Sequence, residues 1–247
     1  MPRKIPVRPA AAVVLALLGL PMLAACGSTV ARPEVVWTEG KPDGPLEDDP
    51  WVEAVRASDL ELEIAITTRD FTAQALYETT DQTVIDDTLD NLEVAADLGE
   101  WWSSPGPRPM IPIQVHEAPG GTSAAVFVCR ANGWPVDAGS PVPDDLHGGL
   151  YKVRVTIEDG HYLVDDAEEV TITDAFDWLG ADVVAPVLEG VGSPEKLEDI
   201  DTTEWYNEYS YNCTLDGAAV GLFNPPPDPQ AEYDRDDIRS RAVLPDQ

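Results

Sequence analysis

The sequence predicts an α+β fold in which two N-terminal helices pack on one face of an antiparallel sheet, with an appended C-terminal segment. Three observations lead there. Apolar residues recur at steps of three and four over 51–66 and again over 85–96, the spacing of an amphipathic helix. From 111 onward the period falls to two, the spacing of a half-buried strand. Turn signals at Pro119-Gly120-Gly121 and Asp159-Gly160 fold the strands back on one another.

The first helix starts at Asp49-Pro50, an N-cap followed by a proline whose missing N–H is no loss in a first turn. Trp51, Val55, Ser58, Leu62 and Ile66 form its stripe, and it ends near Arg69-Asp70. The second helix starts at Thr80-Asp81 and carries Ile85, Leu89, Leu92 and Ala96 on one side. Gly99 stands where the chain must turn left-handed to leave it. Asp81, Asp86, Asp87 and Asp90 fall mostly on its solvated faces. After the proline-rich break from Ser103 to Pro109, Ile111, Ile113 and Val115 alternate with Pro112, Gln114 and His116. Ser123 to Cys129 gives a second strand, and a long loop with Trp134 and three prolines follows. Tyr151, Val153, Val155 and Ile157 then alternate with Lys152, Arg154 and Thr156. His161 to Val164 returns as the hairpin partner, with Val170 to Thr173 continuing it past an acidic jog at Asp165 to Glu169.

Residues 175–224 read as an extension packed on this body. Phe176, Trp178, Val183, Val184, Val187 and Leu188 suggest a short helix broken by Pro186. Trp205, Tyr206, Tyr209 and Tyr211 form an aromatic cluster before Cys213, either packed on the sheet or stacking a ligand. Residues 225–247 are proline-rich, then charged, and read as disordered.

Charge excludes some functions. The chain carries 46 Asp and Glu against 15 Lys and Arg, a formal net charge of −31. Nucleic-acid binding rests on cationic side chains, which this chain mostly lacks. Electrostatic docking on anionic lipid is disfavoured for the same reason. Three cysteines are too few for a four-thiolate zinc site.

The N-terminus reads as an address. Arg3, Lys4 and Arg8 precede an apolar run from Ala10 to Leu20, which is short for a bilayer span. Residues 1–25 are therefore an export signal, to be excluded from the fold. Leu23-Ala24-Ala25-Cys26 resembles the bacterial lipobox. The resemblance implies cleavage before Cys26, lipidation of its thiol, and attachment at the extracytoplasmic face of the cell membrane. A diacylglyceryl group brings two chains, which suffices for stable anchoring. Ordinary secretion and an uncleaved anchor are the alternatives. Gly27 offers no retention signal of the enterobacterial kind, and the preference for arginine over lysine with abundant alanine suits a high-GC genome. Cleavage removes three basic residues and no acids, so the mature chain is the more acidic. Residues 26–48 read as a flexible linker spanning on the order of 25 Å. Its apolar knot, Val35-Val36-Trp37, is expected to dock back on the domain or sit at the membrane interface.

With Cys26 taken by lipid, Cys129 and Cys213 remain in a compartment that permits a disulfide. Two separately buried thiols are the other possibility. Neither cysteine has a basic or histidine neighbour in sequence to activate it as a nucleophile.

A wider resemblance covers residues 49–174. The run Asp49-Pro50-Trp51-Val52-Glu53-Ala54-Val55-Arg56-Ala57 opens a helix, a second helix follows, and a hairpin ends in Val126-Phe127-Val128-Cys129. Tyr151-Lys152-Val153-Arg154-Val155-Thr156 and its Asp-Gly turn come next. This order resembles small actinobacterial lipoproteins and secreted proteins of the NTF2-like or cystatin-like cone type. The resemblance implies a curved sheet wrapped around helices, often with a pocket. The same fold class hosts isomerases and dehydratases, so fold alone does not settle function.

No catalytic motif is present: the sequence lacks the nucleophile elbow, the zincin helix motif, the phosphate loop and the dinucleotide fingerprint. Gln114, His116, Lys152, Arg154 and Thr156 would share one sheet face if their strands keep register. In an enzyme, His116 would then serve as a base beside a cationic clamp; otherwise this is the solvent side of a half-covered sheet. Acidic clusters at Asp48-Asp49, Asp165 to Glu169 and Asp234 to Asp237 lack calcium-loop spacing. No metal or cofactor is expected. The sequence thus points to a lipid-anchored envelope protein whose non-catalytic domain binds a partner protein or a small apolar ligand. An isomerase- or hydrolase-type enzyme in the cone pocket and a structural accessory of an envelope complex are the alternatives.

Overall fold

The computed structural model describes residues 31–99, 102–132, 134, 146–180, 183 and 213–226. Cys26 and the export signal, Val184 to Leu188, the aromatic cluster at Trp205 to Tyr211, and Asp234 to Asp237 in the tail lie outside the described residues. Among the described residues the architecture is α+β, with four helices and a strongly curled antiparallel sheet. Elements run β1 (Glu34–Trp37), α1 (Pro50–Thr68), α2 (Gln74–Tyr77), α3 (Gln82–Asp97), β2 (Met110–Glu117), β3 (Ser123–Ala131), β4 (His147–Glu158), β5 (His161–Glu169), α4 (Ile172–Leu179), β6 (Cys213–Thr214) and β7 (Gly221–Asn224).

Both long helices are capped by aspartates. Asp49 accepts from the Trp51 backbone N–H at 2.9 Å, and Asp81 accepts from that of Thr83 at 2.8 Å, each satisfying a donor the helix leaves orphaned. Arg69 leaves α1 at φ 60°, and Gly99 follows α3 at φ 76°. The sheet runs β2-β3-β4-β5, with β6 joining the start of β4. Asp159-Gly160 makes its hairpin with both residues at positive φ, as a tight turn of this kind requires.

Two bulges re-aim the strands. Between Pro112 and Gln114 the register shifts, leaving Ile113 as the extra residue. The alternation read from sequence therefore breaks there, and Val115 shares a face with Pro112 rather than with Ile111. A second shift places Asp165 as the extra residue between Val164 and Asp166. A bulge adds one residue to one strand and flips all that follow, a change that period-two counting cannot see.

One sheet face packs on α1: Trp51, Val52, Ala54 and Val55 meet Val126, Val128, Val153, Val155 and Val164. On the other side of α1, Ala65 joins Phe71, Leu76, Ile85, Leu89 and Leu92. Entry to α3 is tied to the outer edge of β5, with Asp81 N donating to Val164 O at 2.8 Å and Val164 N to Thr79 O at 3.0 Å. The opposite sheet face carries Phe127, Cys129, Leu150, Val170, Leu179, Cys213 and Leu215. There Cys129 and Cys213 form a disulfide, their Cα atoms 5.9 Å apart. Gly148, paired with Cys213, has room for no side chain, because a Cβ would overlap the two sulfur atoms.

Three expectations need correction. Residues 34–37 are not flexible linker: β1 pairs antiparallel with β7, Val35 opposite Phe223 and Trp37 opposite Gly221. A Val-Val-Trp run suits a strand, but its partner lies near the other end of the sequence. Strand β5 ends at Glu169 rather than continuing through Val170 to Thr173, and Val170, just past it, donates its N–H to Leu150 O at 2.8 Å. Helix α4 then starts at Ile172, because Thr171 caps it: Asp174 N donates to Thr171 Oγ1 at 3.2 Å and Thr171 Oγ1 donates to the Asp174 carboxylate at 2.6 Å. Helix α4 therefore begins before Phe176, where the sequence placed the start, and ends at Leu179 with Gly180 left-handed at φ 80°, while residues 184–188 of that reading lie outside the described residues.

Candidate functional site

The register brings Gln114, His116, Lys152 and Arg154 onto one face. Gln114 and Lys152 flank Phe127, and His116 and Arg154 flank Ala125. Thr156 lies on the same face, opposite Ser123. This face is only partly covered, with Arg154 exposed, and its cations do not form a free clamp. Lys152 pairs with Glu168 at 2.5 Å, and its Nζ lies 3.8 Å above the ring of Trp178 in α4. Arg154 pairs with Asp165 at 2.7 Å and reaches Asp166 at 3.8 Å. Trp178 and His116 each meet Phe127 edge-on, at 5.6 and 5.4 Å between ring centres. Both cations are thus engaged by acids of the neighbouring strand, and Phe127 beneath them is fully buried.

A more unusual constellation lies on α1, where the sequence showed only an apolar stripe. Asp59, Glu61 and Glu63 are all buried, and burial of carboxylates is costly unless each finds partners. The partners come from distant segments. Arg130 of β3 donates to Asp59 Oδ1 at 2.5 Å, and the backbone N–H of Arg108 donates to Asp59 Oδ2 at 2.9 Å. Arg108 Nη2 donates to Glu63 Oε1 at 3.2 Å, and Ser104 Oγ donates to Glu63 Oε2. Arg32, just before β1, makes a two-pronged pair with Glu61. One turn below Glu63, Thr67 and Ser104 bond reciprocally through hydroxyl and backbone.

Electrostatics follow from that burial. Removal from water pushes the Glu63 carboxyl above the usual carboxylate range, and the Asp59 charge adds to this, outweighing Arg108, Ser104 and Arg130. Burial acts to lower the Arg108 guanidinium, but Glu63 and Asp59 reverse that and hold it above its ordinary value. The sign for stability is then set. A carboxyl whose folded value is raised stabilises the fold fully below the unfolded value near 4.5, and that contribution is lost as pH rises through the folded value. Glu63→Gln keeps an acceptor for Arg108 without the ionisation. Its stability relative to the parent is expected to improve as pH rises above about 4.5. Denaturant titrations across that range check it; a relative loss that grows with pH would show that Glu63 is charged in the fold.

The sequence signal for this cluster was present but indirect. Helix α1 carries Glu53, Asp59, Glu61 and Glu63 against a single base, Arg56. Arg56 itself is taken by Glu47, outside the helix, and by the Met110 carbonyl at 3.1 Å. Acids with no local counter-ion imply partners elsewhere. The structure supplies those partners as Arg32, Arg108 and Arg130.

Three clefts border this region. The largest, about 510 Å³, is polar and opens between loop 39–45, the start of β2 and turn 216–219. A second, of 150 Å³, lies under Trp37, Leu60, Pro107 and Met110 beside Asp59 and Arg108. The third, of 190 Å³, opens between α1, α3 and the sheet, lined by Val55, Leu62, Val84, Val153 and Val164 with Ser58, Asp59, Thr88 and Arg130 among them. Glu63 lines none of these three. Among the described residues, no group of three or more His, Cys, Asp or Glu is placed to hold a metal ion. Comparison with protein-family models, curated proteins and solved structures returns no match, and the chemistry of the site rests on its own geometry.

Proposed function

We propose that this chain is a bacterial envelope lipoprotein, lipidated at Cys26 and held at the extracytoplasmic face of the cell membrane. Its body is a cone-like domain of NTF2-like or cystatin-like type that binds a partner protein or a small apolar ligand without catalysis. The observation that carries this reading is the Cys129–Cys213 disulfide, which belongs in an oxidising compartment and agrees with an export signal ending in Leu23-Ala24-Ala25-Cys26. Among the described residues, no helix is long and apolar enough to cross a membrane. Against an enzyme stands the pairing of the charged groups. Both Asp59 oxygens accept hydrogen bonds, and the buried carboxyl Glu63 faces none of the clefts described.

The test is fractionation. Cys26→Ser is expected to move the protein from the membrane to the soluble fraction, whereas the parent stays with membranes in high salt. Retention of the variant on membranes would overturn lipid anchoring through Cys26.

A further inference from the structure

We propose that the cleft between α1, α3 and the sheet is a binding site for a small monocarboxylate with an apolar body about the size of a benzene ring, its carboxylate received by Arg130. This names a ligand class for the binding domain proposed above and rests on that reading. Size sets the first limit. An apolar cavity of about 150 Å³ suffices to hold benzene, and this cleft offers 190 Å³. Its walls come from three layers, Val55 and Leu62 on α1, Val84 on α3, and Val153 and Val164 on the sheet. Apolar walls with a few fixed polar groups are the usual composition of a small-molecule site.

Hydrogen bonding selects the polar end. Ser58 and Thr80 hydroxyls bond each other at 2.8 Å, and Thr88 Oγ1 donates to the Val84 carbonyl at 2.8 Å. Asp59 already accepts from the Arg130 guanidinium and the Arg108 backbone N–H, so its charge is met within the protein. Arg130 differs. It gives Nη2 to Asp59, while its Nε is buried without an acceptor and its Nη1 makes no hydrogen bond among the described residues. A guanidinium with donors to spare is matched by a carboxylate, whose two oxygens take charge-assisted bonds. The acidity of the whole chain opposes an approaching anion, but salt screens it beyond about 10 Å, so the ligand binds weakly and selectively.

The experiment is a titration of the full-length, methyl-labelled protein followed by NMR, with benzoate, 3-methylbutanoate, benzamide and benzylamine as probes. The two carboxylates are expected to shift the Val84, Val153 and Val164 methyls with a Kd on the order of 1 mM, a strength suited to so few atoms. Benzamide is expected to bind at least tenfold more weakly than benzoate, and benzylamine not at all. Val84→Phe fills the cleft away from the ion pairs and should abolish the shifts in a protein that still folds. Asp59→Asn with Arg130→Gln, which removes both charges together, should bring benzoate down to the level of benzamide. Equal binding of benzoate and benzamide, no shifts at about 10 mM, or unchanged binding by Val84→Phe would each overturn the proposal. None of those results bears on membrane attachment, which the Cys26→Ser fractionation decides separately.

Discussion

Replacing Cys129 and Cys213 together by alanine is expected to cost about 4 to 5 kcal/mol of stability, and to lower the unfolding temperature by roughly 10 to 15 °C. The figure follows from loop length. The two residues are 84 apart in sequence, and a crosslink that closes so long a loop removes much of the freedom of the unfolded chain. Position adds to the effect. Both cysteines are fully buried, and their cluster joins β3, β4, α4 and β6. Without the crosslink, β6 keeps only a two-residue pairing with the start of β4. Denaturation of the parent with and without reductant checks the expectation, with the alanine pair as the control that reductant should not affect. A parent midpoint that does not move on reduction would remove the disulfide as a source of stability.

Asp59→Ala is expected to cost about 3 to 5 kcal/mol, because it removes one partner of a buried ion pair and leaves the other. Arg130, whose side chain is 17% exposed, would keep its charge with no carboxylate to meet it. The Arg108 backbone N–H would lose its acceptor as well. The effect belongs to the isolated charge rather than to the pair itself. The double replacement Asp59→Asn with Arg130→Gln should therefore recover most of the loss, as neutral side chains of similar shape do not strand a charge. Urea denaturation of the two single variants and the double variant measures the coupling. An Asp59→Ala protein within about 1 kcal/mol of the parent would mean that solvent already screens the pair.

These two interactions differ in how openly the sequence announced them. The cysteine pair followed from subtraction, once Cys26 was assigned to lipid. The starts of α1 and α3 were equally open, because an N-cap aspartate acts within its own turn and leaves a local mark. The Asp59 cluster left none. Its partners Arg108 and Arg130 lie 49 and 71 residues away, and their meeting depends on how the sheet curls over α1. The same holds for β1 and β7, strands of four residues each whose pairing no local pattern encodes. The cost of local reading shows most plainly at Gln114, His116, Lys152 and Arg154. Alternation placed them on one face, yet it could not show that Glu168, Asp165 and Trp178 would engage the two cations. A bulge at Asp165 and a helix capped by Thr171 create that environment, and both depend on single residues.

The position of β1 also sharpens the view of the tether. Arg32 is ion-paired to α1 and Glu34 already lies in a strand, so few residues remain between Cys26 and the folded body. Even fully extended, such a stretch reaches only about 20 Å. On the proposed anchoring at Cys26, a domain on so short a lead would stay close to the membrane surface. Its excess of acid would then oppose adsorption onto anionic headgroups.

The central claim is that this domain is fixed to a membrane through lipid on Cys26, and mass spectrometry of protein extracted from membranes tests it most directly. The expected mature chain begins at Cys26, lacks residues 1–25, and carries a diacylglyceryl group on its N-terminal peptide. An unmodified peptide beginning at any other residue, or a chain retaining Met1 to Ala25, would contradict it.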